Sequence, residues 1–151
     1  MSDGTIEYPP KKYDLRDNSA FILLDSRQNY VTGYCNQVAF LDKKIGSIIH
    51  EILRNSPNSV IIIQGDHGPG ADFLQEDLIN SDIDQKFSIL NSYYFADKEY
   101  SMISEDITPV NTFRVILNKY FGTGLPMLEN RSYWSDYKDI YSFEDITNRL
   151  R

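Results

Sequence analysis

Residues 60–70 read Val-Ile-Ile-Ile-Gln-Gly-Asp-His-Gly-Pro-Gly. A short, unbroken β-branched run predicts a central strand buried on both faces. The run stops at Gln64, and the Gly and Pro residues from Gly65 to Gly70 require the chain to turn. Asp66 and His67 therefore stand at the carboxyl end of the strand, where open α/β sheets hold their ligands. Neither strengthens a core, because a buried carboxylate or imidazole without a partner is costly. The natural partner of such a pair is a metal ion.

Oxygen and imidazole donors suit Mn²⁺, Zn²⁺, Mg²⁺ or Ca²⁺ without choosing among them, and the soft ligands that select copper are absent. Adjacent residues on a regular strand point to opposite faces, so one ion takes both only if the backbone turns between them. An Asp-His turn ahead of a capped helix is the competing reading, and spacing alone does not decide it. Gly65-x-x-Gly68-x-Gly70 can also be read as a phosphate cradle. It lacks the Lys-Ser/Thr ending of a P-loop and the spacing of the dinucleotide fingerprint, and room around a metal ligand explains the glycines better.

Upstream, Val31, Tyr34, Cys35, Val38, Leu41, Ile45, Ile48, Ile49, Ile52 and Leu53 recur every three or four residues. They form one apolar stripe on a helix of about seven turns. Asn55-Ser-Pro-Asn-Ser59 ends it. A long helix feeding a buried strand is half of a right-handed crossover, which predicts an α/β fold with a mostly parallel sheet flanked by helices. Further strands are expected at Ser19–Asp25, Lys86–Phe95 and, at an edge, Ile140–Phe143. A short amphipathic piece is expected at Ala71–Ile79, and a terminal helical turn or two at Phe143–Leu150. Thr108-Pro109 reads as a hydroxyl N-cap with proline at the first helical position. Gly122 closes that helix.

The 151 residues suit a single domain, with residues 1–18 irregular. The net charge of −7 and the absence of any Lys/Arg run argue against nucleic acid and anionic membranes as partners. One cysteine, Cys35, excludes an internal disulfide and reads as a small core residue. No apolar run reaches the roughly 18 residues of a membrane span, and the first ten residues carry no signal-peptide core. The chain reads as soluble, its compartment unassigned and a membrane-anchored parent left open. Among other polar groups, His50 is a surface or boundary residue of the long helix, and Asp42 an anchor for a helix–loop contact. Arg114 is expected in a surface salt bridge, with an anion as the alternative. Tyr93, Tyr94 and Trp134 read as packing aromatics. No Gly-x-Ser-x-Gly elbow is present, and no catalytic nucleophile is assigned.

Taken together, Tyr34-x-x-Gln37-Val38-x-x-Leu41-Asp42-x-x-Ile45-Gly46, the helix, and Ile-Ile-Ile-Gln-Gly-Asp-His-Gly resemble the C-terminal half of sulfatase-like hydrolases. These belong to the alkaline phosphatase superfamily, which also holds phosphoglycerol transferases. Thr108-Pro-Val-Asn-Thr-Phe-Arg114 and Tyr120-Phe-Gly122 extend the likeness, so that it covers roughly residues 30–134. The resemblance implies a partial alkaline phosphatase-like fold and a divalent-metal-dependent hydrolase or transferase acting on sulfate or phosphate esters. Asp66 and His67 match the family's paired late metal ligands. The family's nucleophile, its early acidic ligand and its substrate-side histidine have no counterpart ahead of His50. The expectation is a C-terminal segment, silent alone, whose site is completed by an N-terminal half, an oligomer or a partner chain. A non-catalytic interaction module that kept the fold is the alternative.

Overall fold

The computed structural model describes Asp3 and residues 26–150. The strand expected at Ser19–Asp25 and the irregular start at 1–18, Asp3 apart, lie outside the described residues. The chain divides into two compact units, residues 1–59 and 60–151.

In the first unit, helix α1 spans Arg27–Asn55. Ser26 caps it by accepting a hydrogen bond from the Asn29 amide at 3.2 Å. The stripe read from the sequence lies along this helix, yet no residue of α1 is buried. Cys35 is exposed rather than a core residue. His50 and Asp42 are exposed as well.

The second unit opens with β1, Ile61–Gln64, where the apolar run predicts it. Its isoleucines are half-buried and Gln64 is exposed, so the strand is not enclosed on both faces. The expected parallel sheet is not found among the described residues. Strand β1 pairs antiparallel with β2, Asn91–Tyr94, in the register Ile61↔Tyr94 to Gln64↔Asn91. The Gly65 amide continues the ladder onto the Leu90 carbonyl at 2.8 Å. The chain between the strands doubles back instead of crossing over, which reverses the direction of β2.

The segment expected as one strand, Lys86–Phe95, is split. Its first two residues end a short helix α2, Ile83–Phe87, which Asp82 caps by accepting from the Gln85 amide at 2.9 Å. A local side-chain cap overrides the strand preference of the apolar residues there. Residues 71–79 form turns rather than an amphipathic helix.

Helix α3, Pro109–Phe121, has the predicted proline start, and Gly122 closes it in the left-handed region at φ 60°. The Thr108 side chain makes no cap bond to the helix. Its hydroxyl donates instead to Asn130 Oδ1 at 2.9 Å, and the same oxygen accepts from the Thr108 amide at 3.0 Å and from Asn111 Nδ2 at 2.9 Å. An amide from a later segment thus anchors the residue that precedes the helix. Arg114 donates to the Pro126 carbonyl at 2.9 Å rather than to an acidic side chain among the described residues.

The tail forms a second antiparallel pair, β3 (Tyr133–Trp134) with β4 (Glu144–Asp145), and then a 3₁₀ turn at Thr147–Arg149. The edge strand therefore falls just after the expected Ile140–Phe143. Leu78, Ile83 and the fully buried Ile146 form a core, with Phe73, Phe87, Trp134 and Leu150 packed against it. Phe95, also fully buried, is ringed by Tyr100, Tyr120 and Tyr93 at centroid distances of 5.1, 5.8 and 6.2 Å. Packing accounts for Trp134 and Tyr93, as their aromatic character suggests.

Candidate functional site

Gly65 to Gly68 form the turn that carries Asp66 and His67. The Gly68 amide donates to the Lys86 carbonyl at 2.7 Å, at the end of α2. A Cβ on Gly68 would lie 2.0 Å from the Gln85 carbonyl oxygen and 2.8 Å from that of Ser88. Only glycine passes this closely beneath the end of α2. The turn is therefore held against the end of α2 by its backbone.

Asp66 accepts from the His67 amide at 2.9 Å through Oδ1. His67 Nδ1 lies 2.7 Å from the Gly68 carbonyl oxygen. A carbonyl oxygen only accepts, so the proton of the neutral ring sits on Nδ1 and Nε2 keeps its lone pair. A carbonyl on one ring nitrogen is the usual arrangement behind a metal-binding histidine. His67 Nε2 and Asp66 Oδ2 are 3.9 Å apart, with the Asp66 side chain 91% exposed. A cation about 2.1 Å from each donor can bridge two atoms up to about 4.2 Å apart. The 3.9 Å separation lies within that limit and is wider than the roughly 3.4 Å between two donors of a tetrahedral ion. Among the described residues no group of three or more His, Cys, Asp or Glu is placed to hold a metal.

Asp66 and His67 line a cleft of about 1170 Å³ lying wholly within the second unit. Lys86, Phe73, Asn91 and Tyr93 line it too, as do Asn130, Arg131 and Trp134. Burial pushes the Lys86 ammonium below its ordinary pKa, while the Asp66 carboxylate nearby raises it. Lys86 Nζ also sits 5.4 Å from the centroid of the Phe73 ring. Arg131 is held by Glu129 and Asp145 at 2.5 and 3.3 Å. Hydrogen bonding to Glu129 raises its already high pKa, so it stays charged. Buried Trp134 Nε1 has no hydrogen-bond partner among the described residues.

Sequence reasoning brought Asp66 and His67 to this cleft but missed Lys86, Asn130 and Arg131. Lys86 stands between Gln85 and Phe87 in a mixed polar stretch, with no pattern that marks it. Asn130 and Arg131 carry none either, because they arrive from the tail through tertiary contacts. His50 and Asp42 lie on α1 and belong to the other unit.

The family model of sulfatases matches residues 5–113, well over half of the chain. The chain belongs to the sulfatase family, a family of hydrolases that generally depend on a divalent cation. Comparison with curated proteins and with solved structures returned no match. No helix among the described residues is long and apolar enough to cross a membrane.

Proposed function

We propose that this chain is the carboxyl-side part of a sulfatase-like ester hydrolase or phosphoglycerol-type transferase, in which Asp66 and His67 are two ligands of a divalent cation. The observation that carries the reading is the pair itself: His67 Nε2 with a free lone pair, 3.9 Å from an exposed Asp66 carboxylate, on a backbone-fixed turn. Membership of the sulfatase family supports it.

Catalytic zinc usually takes three protein ligands, and the described residues offer two in one place. The remaining ligands and the nucleophile accordingly come from polypeptide outside residues 26–150, whether an N-terminal half or a partner chain. When bound, the cation would neutralise charge on the ester oxygens during in-line displacement. Asp66 and His67 hold it at the mouth of the cleft. Lys86 and Arg131 line the same cleft, as do Asp66, Asp84, Glu105 and Asp106, so the positive charge suited to a sulfate or phosphate ester would come chiefly from the cation. The geometry treats the two esters alike.

Turnover of p-nitrophenyl phosphate and p-nitrophenyl sulfate with Mn²⁺, Zn²⁺ and Mg²⁺ tests this. The 151-residue chain should show little or no turnover alone, and turnover should appear once the completing segment is supplied. Robust activity of the chain alone, lost in Asp66→Ala, would overturn the need for that segment. Absence of metal binding by the chain and by the completed protein would overturn the site.

A further inference from the structure

The Thr108-Pro-Val-Asn-Thr-Phe-Arg114 stretch has no role in the reading above, yet it carries the second unit's two buried polar residues, Asn111 and Thr112, 1% and 0% exposed. Burying polar side chains this completely is tolerated only where their bonds are made. Their bonds run to opposite sides of α3.

Asn111 faces the chain that follows the helix. Its Nδ2 donates to the Leu128 carbonyl at 2.8 Å and to Asn130, while its Oδ1 accepts from the Leu128 amide at 3.0 Å. Arg114 and Asn118, three and seven residues on, share that face. Arg114 holds the Pro126 carbonyl, and Asn118 binds both the amide and the carbonyl of Leu125 at 2.7 and 2.8 Å. These side chains lay residues 125–130 along α3 and so place the cleft wall that begins at Asn130.

Thr112 faces the sheet. Its hydroxyl accepts from Gln64 Nε2 at 2.9 Å and meets the Tyr93 hydroxyl at 2.8 Å. Gln64 spends its other amide proton on Asn91 Oδ1 at 3.0 Å, its partner across the strands. Gln64 is also the last residue of β1, one glycine before Asp66. The point at which β1 gives way to the Asp66–His67 turn is therefore tied to α3 by a single buried hydroxyl.

We infer that Thr112 is a positioning residue: through Gln64 it sets where the Asp66–His67 turn leaves the sheet, and hence how the two donors face the cleft wall that the same helix holds through Asn111. The inference rests on the metal-ligand reading above. Thr112→Val keeps the side-chain shape and removes the hydroxyl, whereas Thr112→Ser keeps the hydroxyl.

Zn²⁺ affinity by isothermal titration, together with the His67 tautomer by nitrogen-15 NMR of the metal-free chain, tests it. Thr112→Val should bind Zn²⁺ about tenfold more weakly, as loss of a ligand-orienting partner does. It should also lower the population of the Nδ1–H tautomer of His67. Thr112→Ser should stay close to the parent in both readouts. If Thr112→Val fails to fold, Gln64→Ala breaks the same link from an exposed position and should give the same two changes. A variant matching the parent in both affinity and tautomer would overturn the inference. A parent chain that binds no Zn²⁺ overturns the metal reading instead, and the tautomer then decides the positioning role alone.

Discussion

His67 Nδ1 and the Gly68 carbonyl oxygen stand 2.7 Å apart, so the imidazole is oriented by the residue that follows it. The same Gly68 amide is bonded to the Lys86 carbonyl at the end of α2. One residue, Gly68, thus links the end of α2 through its amide and the ring that would bind metal through its carbonyl.

Metal should therefore stabilise the folded chain through this pair. A ligand present at about 100 times its Kd adds about 2.7 kcal/mol to folding stability. Saturating Zn²⁺ or Mn²⁺ is expected to raise the melting temperature of the parent by several degrees. Asp66→Ala and His67→Ala should each abolish most of that rise, while changing metal-free stability little, since both side chains are exposed. An undiminished rise in either variant would exclude that residue as a ligand.

Gly68→Ala should be far more damaging than a methyl group usually is. Its Cβ would meet backbone oxygens, not a yielding side chain, at 2.0 Å. Forcing bulk into a closed site costs roughly 1–3 kcal/mol, and here the end of α2 or the turn must move. Urea denaturation should show a loss of about that size, with metal stabilisation lost in parallel. Full metal stabilisation in a folded Gly68→Ala chain would show that the close approach does not position His67.

What the sequence disclosed and what it hid divide along the range of the forces involved. Periodicity placed α1, Pro109 and Gly122 bounded α3, and the β-branched run placed β1, because each reflects neighbours a turn or two away. Gly122 was legible for the same reason: a left-handed residue at a helix end selects glycine locally. The direction of β2 was not legible, since three half-buried residues and one exposed serine carry no mark of parallel or antiparallel pairing. Thr108 was read as the cap of α3, but its hydroxyl is taken up by Asn130, brought there by tertiary contact. The site followed the same rule. Asp66 and His67 announced themselves as neighbours in a glycine-rich turn, whereas Asn130 and Arg131 reach the cleft only after the tail packs Ile146 and Trp134 onto the core.

Asn130→Ala is expected to unpin the start of α3. One oxygen accepts from the Thr108 amide, the Thr108 hydroxyl and Asn111 Nδ2, and Asn111 is almost wholly buried. Losing a hydrogen bond costs about 1 kcal/mol, and leaving a buried donor with one bond fewer adds about 1–3 kcal/mol. A shift of the urea midpoint corresponding to about 2–4 kcal/mol should result. Asn130→Asp keeps the acceptor and should lose much less. Equal losses in the two variants would mean that the oxygen is not the stabilising atom.

The pH dependence of stability should be traceable to Asp97 and Lys119, paired at 2.8 Å. The hydrogen bond from Lys119 holds the Asp97 carboxyl below its ordinary pKa, and the reciprocal bond raises that of Lys119. The Lys119 ammonium also lies 5.3 and 5.5 Å from the ring centroids of Phe95 and Tyr120, and the Glu99 carboxylate adds to its raised pKa. A carboxyl with a depressed folded pKa contributes stability that is complete above its unfolded value, about 3.9, and is lost as pH falls through the folded value. An ammonium with a raised pKa contributes stability that is complete below about 10.4 and is lost as pH rises through its folded value. Both contributions are therefore whole at neutral pH. Asp97→Asn should melt below the parent at pH 7, and the gap should start to close at about pH 4 and vanish only as pH falls through the lower folded value, where the parent carboxylate takes up its proton. Melting curves of the two proteins from pH 2 to 7 provide the check. A gap that stays constant across that range would assign the difference to side-chain shape and remove the ion pair as its cause.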